Sequence, residues 1–261
     1  MEYLGKTAWG RPLLCRKGGQ GARRVLFCAA HHGSEWITTL VLLRFWRQFR
    51  ARKDWQRACT LYCVPCVNPD GAALARGQVG RFTPLYLAAR GAARQDPELV
   101  FPAGWKANGR GVDLNLNYPA GWQQAVRQKG KTEPAAWHWP GPKCASEIET
   151  RAMMALCRRV RPQLLVTLHA QGREIYWEYG GFAPSGAREV GEIMAARSGY
   201  ALRQVPPSAA FGGMKDWFLI EFAKPAYPVE CGLGVNPLPL SQLPEICRQV
   251  FPILETALLG V

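Results

Sequence analysis

Two of the chain's four histidines follow short apolar runs, at places where they could bind a metal ion. His32 and Glu35 lie three residues apart, so an imidazole and a carboxylate can approach one ion from the same side. His169 ends a later apolar run and could supply a third ligand. A catalytic zinc site takes three protein ligands and leaves one position open for water. Each histidine alone would more often be a packed core or turn residue, but together these residues favour zinc hydrolase chemistry.

The elements that must position these side chains alternate between strands and helices. Apolar runs predict strands at residues 25–30, 61–67, 164–169 and 226–230, with a short one at 175–179. Helical spacing of apolar residues predicts helices at 35–50, from 146, at 187–198, at 213–222 and from 239 onward. We therefore expect an α/β fold, a single domain over 1–261 with a mixed, mainly parallel sheet flanked by helices on both faces. Such sheets bind ligands at the carboxyl ends of their strands, where His32 and His169 would lie.

Three local patterns give more limited predictions. Residues 72–110 have weak periodicity and are expected to form loop and short helix. Ser146, with Glu149 three residues later, predicts a side-chain cap at the start of a helix. Cys63 and Cys66 could form a redox or zinc pair, but in a strand they would point to opposite faces, so they are interpreted as packing residues.

The charge balance favours an anionic substrate. The chain has 33 Lys and Arg against 19 Asp and Glu, a formal net charge of +14. It has no compact basic run, so no nucleic-acid partner is expected.

No leader and no apolar stretch long enough to span a membrane is recognised, and nine irregularly spaced cysteines suit a reducing compartment. We therefore expect a cytoplasmic protein without a membrane partner; the oligomeric state stays open.

Six segments of the chain resemble the zinc carboxypeptidase family, in the family's order. The segments are 29–36, 67–71, 111–115, 146–149, 166–169 and 228–230. The resemblance implies one Zn²⁺ ion with His32, Glu35 and His169 as its ligands. It also implies that Glu230 is the catalytic glutamate and that Asn115 belongs to the substrate-binding segment.

The mechanism that the resemblance implies is hydrolysis of an amide. Zinc lowers the pKa of a bound water to roughly 7, and a nearby carboxylate takes the proton during attack. Glu230 suits that role, because an acid that ends an apolar strand needs a partner. An arginine of the family supports the oxyanion; Lys106 falls at its position, and Arg110 is a nearby competitor.

Two positions depart from the family's carboxypeptidases. The arginine that follows the substrate-binding asparagine, and that holds a substrate's terminal carboxylate with it, is replaced by Leu116. No tyrosine lies between Tyr200 and Tyr227, where the family has one on a loop. A leucine cannot make a bidentate contact, so ordinary trimming of C-terminal residues is not expected.

Segments 105–108, 114–122, 170–172 and 214–218 resemble one branch, the γ-D-glutamyl-L-diamino acid endopeptidases. That branch cuts peptidoglycan stem peptides between γ-D-glutamate and a diamino acid such as meso-diaminopimelate. The resemblance implies an anionic muropeptide substrate, and Arg173 and Lys215 are expected to bind its carboxylates. Alternatives are a zinc carboxypeptidase or a deacylase of N-acyl amino acids. A non-catalytic binder of anionic ligands would not need all of His32, Glu35, His169 and Glu230.

Overall fold

The buried apolar runs form the middle of an eight-stranded sheet in the computed structural model, which describes residues 1–206 and 210–260. The strands are β1 (Glu2–Lys6), β2 (Pro12–Gly19), β3 (Arg23–Ala29), β4 (Cys59–Val64), β5 (Leu164–His169), β6 (Glu174–Tyr176), β7 (Ala201–Arg203) and β8 (Ala226–Glu230). Their order across the sheet is β1-β2-β4-β3-β5-β8-β6-β7.

The sheet is mixed, with its parallel part at the centre. Strand β3 pairs in parallel with β4 and β5, and β5 pairs in parallel with β8. The pairs β1 with β2, β2 with β4 and β6 with β8 are antiparallel, whereas β6 and β7 are parallel. The fold class expected from the sequence is confirmed.

Alternation along β3 separates two cores. Val25 and Phe27 pack on one side of the sheet, and Leu26 and Cys28 pack on the other. Helices α1 and α9 contribute to the first core, and α6 and α8 contribute to the second. The helices are α1 (Ile37–Ala51), α2 (Lys53–Ala58), α3 (Pro69–Ala75), α4 (Pro84–Ala92), α5 (Trp122–Lys129), α6 (Ile148–Val160), α7 (Ala187–Ser198), α8 (Met214–Phe222) and α9 (Leu243–Leu259).

The predicted cap of α6 is wrong. The N-cap residue is Glu147, and no side chain caps the helix. The Ser146 hydroxyl instead donates to Glu147 Oε1 at 2.7 Å and accepts from Asn117 Nδ2 at 3.0 Å. Ser146 therefore fastens the loop that contains Asn117, a long-range contact that local spacing does not reveal.

The cysteines are free, and seven of the nine are buried. Cys63 lies inside β4, whereas Cys66 lies two residues beyond the end of that strand. The two cysteines do not form a disulfide bond. This agrees with the interpretation of both as packing residues. None of the described helices combines the length and the apolarity needed to cross a membrane.

Candidate metal centre

Three neighbouring parallel strands bring the predicted site residues to one edge of the sheet. His169 is the last residue of β5, and it lies in register with Glu230, the last residue of β8. His32 follows β3, the strand on the other side of β5. The ligand atoms of His32, Glu35 and His169 all lie within 4.8 Å of one another. Two imidazole nitrogens and one carboxylate oxygen are a donor set that suits catalytic zinc.

Glu35 connects the two imidazoles. Its Oε1 lies 2.8 Å from His32 Nδ1, and its Oε2 lies 3.1 Å from His169 Nδ1. Burial alone would raise the pKa of Glu35, but the two histidines hold it well below its usual range. Burial likewise lowers the pKa of His32, yet Glu35 and Asp113 outweigh it and raise that pKa to about 10. A cation placed between these side chains would therefore be strongly stabilised.

A short turn holds His32 and Glu35 in place. Residues Gly33–Glu35 form a 3₁₀ helix, and the Gly33 amide donates to the Lys106 carbonyl at 2.9 Å. A Cβ on Gly33 would lie 2.5 Å from the Gly71 backbone, so only glycine fits this close approach. Asn68 Nδ2 donates to the carbonyls of His31 and Ala107, which ties this turn to the segment that contains Lys106.

Asp113 is a site residue for which the sequence analysis predicts no role. Its Oδ1 lies 3.2 Å from His32 Nε2, on the ring atom opposite the one that faces Glu35. Burial raises the pKa of Asp113, but the neighbouring His32 lowers it to about 2. A carboxylate in this position fixes the orientation of a metal-binding imidazole. The sequence feature that could have indicated a role for Asp113 is an acidic residue between two apolar ones, Val112 and Leu114.

Glu230 lies at the wall of the same cavity. Desolvation raises the pKa of its carboxyl to about 7, although the nearby His169 acts in the opposite direction. A carboxyl with a pKa near neutrality can accept a proton and return it at little cost. Its side chain therefore has the properties of a general acid and base.

The cavity beside the cluster has a volume of about 320 Å³. Lys106 lines it, with Nζ 3.8 Å from the centre of the Trp137 ring. His138 also lines it, stacked on Trp137 with 3.7 Å between ring centres. Burial lowers the pKa of His138 to about 4, so its imidazole is neutral at pH 7. His138 and Lys129 are lining residues that the sequence did not indicate.

A second part of the cavity wall, which we call the far end to distinguish it from the metal cluster, contains an ion pair. Lys215 Nζ lies 2.6 Å from Asp216 Oδ1 and donates to the Glu178 carbonyl at 2.5 Å. Both side chains are at least nine-tenths buried and line the cavity. Asn115 and Leu116 line it as well, and Asn115 Oδ1 accepts from the Met214 amide at 3.3 Å. Of the predicted substrate-binding residues, the structure thus brings Asn115 and Lys215 to the cavity.

Arg110 and Arg173 are not among the residues that line this cavity. The Arg110 side chain is 57% exposed, and its Nε lies 3.7 Å from Glu147 Oε2. Arg173 has a positive φ of 54°, and its amide donates to the Glu230 carbonyl at 2.7 Å. The Arg173 backbone therefore connects Glu230 with β7, since its carbonyl accepts from the Ala201 amide at 3.0 Å.

Known proteins share both the sequence and the fold. The sequence profile of the family described as zinc carboxypeptidase matches residues 1–252. The chain is 32% identical to the uncharacterized protein YqgT of Bacillus subtilis (strain 168), covering 98% of this chain and 70% of that protein. It is 30% identical to gamma-D-glutamyl-L-diamino acid endopeptidase 1 of Lysinibacillus sphaericus, covering 98% of this chain and 66% of that protein.

Two solved structures have the same fold. Bovine thrombin-activatable fibrinolysis inhibitor superposes with a TM-score of 0.76 at 17% identity, covering 98% of this chain and 88% of that one. Murein-tripeptide amidase MpaA from Escherichia coli O157 gives a TM-score of 0.62 at 21% identity, covering 99% and 91%. The match over nearly all of the sequence, together with the His-Glu-His cluster at the strand ends, shows that this chain belongs to the zinc carboxypeptidase family and is a zinc metallopeptidase.

Proposed function

We propose that residues 1–261 act as one peptidase domain that hydrolyses the amide between γ-D-glutamate and a diamino acid in peptidoglycan stem peptides. The observation that carries this proposal is that Leu116 and the Lys215–Asp216 pair line the same cavity as the metal cluster. The names of two relatives, a γ-D-glutamyl-L-diamino acid endopeptidase and a murein peptide amidase, support the same substrate class.

His32, Glu35 and His169 would hold the zinc ion, and Asp113 would orient His32 from behind. When bound, zinc supplies a Lewis acid that polarises the scissile carbonyl and makes water more acidic. The carboxylate of Glu230 takes a proton from the attacking water and then gives it to the departing amine. Its pKa of about 7 permits both transfers near neutral pH.

Lys106 is the cation proposed to support the developing oxyanion. Its ammonium lies on the Trp137 ring and lines the cavity that Glu230 also lines. A positive charge close to the carbonyl oxygen stabilises the transition state more than the ground state. Arg110, the alternative cation, pairs instead with Glu147, so it is the weaker candidate for this role.

The Lys215–Asp216 pair is suited to the distal end of meso-diaminopimelate, which carries both an amino group and a carboxylate. The Lys215 ammonium has three N–H donors, of which the described contacts use two. Asp216 Oδ2 accepts from the Gly213 amide at 3.2 Å, and Oδ1 faces Lys215. The further Lys215 donor could therefore bind the distal carboxylate, while Asp216 Oδ1, which is buried, holds the Lys215 ammonium in place. A substrate with lysine in place of meso-diaminopimelate has no distal carboxylate to accept a hydrogen bond from Lys215.

Three further residues complete the proposal for substrate binding. The Asn115 side chain would contact the substrate backbone beside Leu116, where no arginine is present to grip a terminal carboxylate. Arg173 and Arg110 would act only on parts of a longer stem peptide that extend beyond the cavity. A cytoplasmic pool of such peptides is the proposed setting.

The test is product analysis by mass spectrometry with zinc-loaded protein. L-alanyl-γ-D-glutamyl-meso-diaminopimelate is expected to release free meso-diaminopimelate. Glu230→Gln protein, shown to retain zinc, serves as the matched inactive control. Cleavage of N-acyl amino acids alone would favour the deacylase, and release of terminal residues from ordinary α-linked peptides alone would favour a carboxypeptidase. Tight binding of the stem peptide without any hydrolysis would favour the non-catalytic binder.

A further inference from the structure

Four large apolar side chains are exposed on one stretch of the chain. Phe82 is 93% exposed, Val100 75%, Leu87 51% and Leu85 42%. They belong to helix α4 and the segments on either side of it, in a part of the chain that the catalytic proposal does not use. Exposed apolar side chains in such a group mark an interaction surface more often than chance contacts do.

Three arginines lie beside two of these side chains, Phe82 and Leu87. Arg81, Arg90 and Arg94 line one groove together with Phe82 and Leu87. All three are exposed, and none forms an ion pair with a residue in 1–206 or 210–260. We call Phe82, Leu87, Arg81, Arg90 and Arg94 the α4 patch.

The acidic residues near the α4 patch do not neutralise it. Asp96 is buried, lies against Lys131 and accepts from the Ala136 amide at 3.0 Å. Glu98 is exposed and is the remaining acidic residue between positions 81 and 102. The patch therefore keeps a net positive charge, on a chain whose formal net charge is +14.

The α4 patch stands on a packed base. Tyr86 is buried and meets Phe101 edge to face with 5.2 Å between ring centres, and Phe101 meets Trp105 at 6.1 Å. Thr83 caps α4 by accepting from the Tyr86 amide at 3.3 Å. Leu87 therefore projects from an ordered helix, and Phe82 lies directly before the residue that caps it.

We infer that the α4 patch docks on an anionic lipid surface. Apolar side chains at the ends and outer face of a short helix can enter the acyl boundary, while the arginines contact anionic headgroups. RNA would use the arginines and could stack a base on Phe82, but it offers nothing to the aliphatic side chain of Leu87. A protein partner would be expected to bring acidic groups, yet it would not require a side chain as protruding as Phe82.

This inference is independent of the proposed hydrolytic function. The sequence analysis expects no membrane partner because it recognises only leaders and membrane-spanning segments. A surface patch built from α4 and the residues next to its ends becomes visible only when the chain is folded.

Co-sedimentation with vesicles tests the inference. We expect binding to vesicles of 70% phosphatidylcholine and 30% phosphatidylglycerol, and little binding to pure phosphatidylcholine. Raising the ionic strength from 0.1 M to 1 M should weaken binding, since the screening length falls from about 10 Å to about 3 Å. Phe82→Ser with Leu87→Ser, and separately Arg90→Gln with Arg94→Gln, should each lower the partition coefficient about tenfold or more.

Matched controls come from other exposed positions. Val235→Ser with Leu240→Ser removes two exposed aliphatic side chains elsewhere, and Arg47→Gln with Arg50→Gln removes two exposed arginines of α1. These variants should bind vesicles like the wild type, and all variants should keep its thermal melting. Failure of the wild type to bind anionic vesicles, or equal losses in patch and control variants, would overturn the inference. Loss of affinity for a labelled single-stranded RNA, with vesicle binding unchanged, would replace lipid by nucleic acid.

Discussion

The two ends of the active-site cavity are built in different ways. At the metal end, Glu35 contacts both His32 and His169, and Asp113 contacts His32 from the other side. At the far end, Lys215 and Asp216 pair with each other and retain unused hydrogen-bonding capacity. The metal end is arranged to hold one cation, whereas the far end is the part that we propose discriminates among substrates. Chemistry and specificity can therefore be altered separately in this chain.

The largest expected effect is at the metal end. Glu230→Gln removes the group that moves the proton while keeping nearly the same shape, so kcat should fall by about 10²- to 10⁴-fold. Zinc content, measured by atomic emission on the purified variant, should stay at the wild-type level. Retention of more than half of the activity would assign the base to another residue.

A smaller effect is expected behind the metal end. Asp113→Asn keeps a hydrogen-bond partner near His32 but removes the charge, so zinc affinity should fall about 10- to 100-fold. Competition with a chromogenic chelator at fixed pH would measure the change. The matched control is Asp216→Asn, which lies at the far end of the cavity and should leave zinc affinity unaltered.

Substitution at the far end should change selectivity rather than metal binding. Lys215→Met removes the free N–H donor, so KM for a γ-D-glutamyl-meso-diaminopimelate peptide should rise about tenfold. The same peptide with L-lysine in place of diaminopimelate lacks the distal carboxylate and should show little change. An equal rise for both peptides would mean that the ion pair only supports the fold of the pocket.

The smallest expected effect is the response to pH. Glu230 must be ionised to accept a proton, so kcat/KM should fall as the pH drops below the pKa of this group. With a pKa of about 7 the rate at pH 6 would be about one tenth of that at pH 8. Zinc bound beside Glu230 would lower this pKa and move the acid limb downward. An acid limb of the kcat/KM profile with its midpoint above pH 8 would be incompatible with Glu230 as the base.

The central strands could be predicted from the sequence because both of their faces are buried. Strands β3, β5 and β8 are continuous apolar runs, and their ends lie at or within two residues of the predicted bounds. Strands β1 and β2 were missed, since their partly exposed faces mix charged and apolar residues. Helices α2 and α5 were also missed, because they are short and expose most of their residues.

The site could be predicted only where a residue's own neighbours reveal its role. His32, Glu35 and His169 follow recognisable strand ends, and the structure brings their ligand atoms together. The contact of Asp113 with His32 joins residues 81 positions apart, so no local pattern contains it. Lys215 was expected from the family resemblance, but no local pattern contains its bond to the Glu178 carbonyl, 37 positions away.

One amide gives the cavity a stiff wall. Asn68 donates to the carbonyls of His31, Lys106 and Ala107 and accepts from the Gly71 amide, so its side chain is shared by three chain segments. Backbone travel of Lys106 toward a ligand would break these bonds. The ammonium can advance only by rotation of its own methylene groups across the face of Trp137. Lys106 would therefore approach a reacting carbonyl by rotation of its side chain, without movement of the backbone of the metal-binding turn.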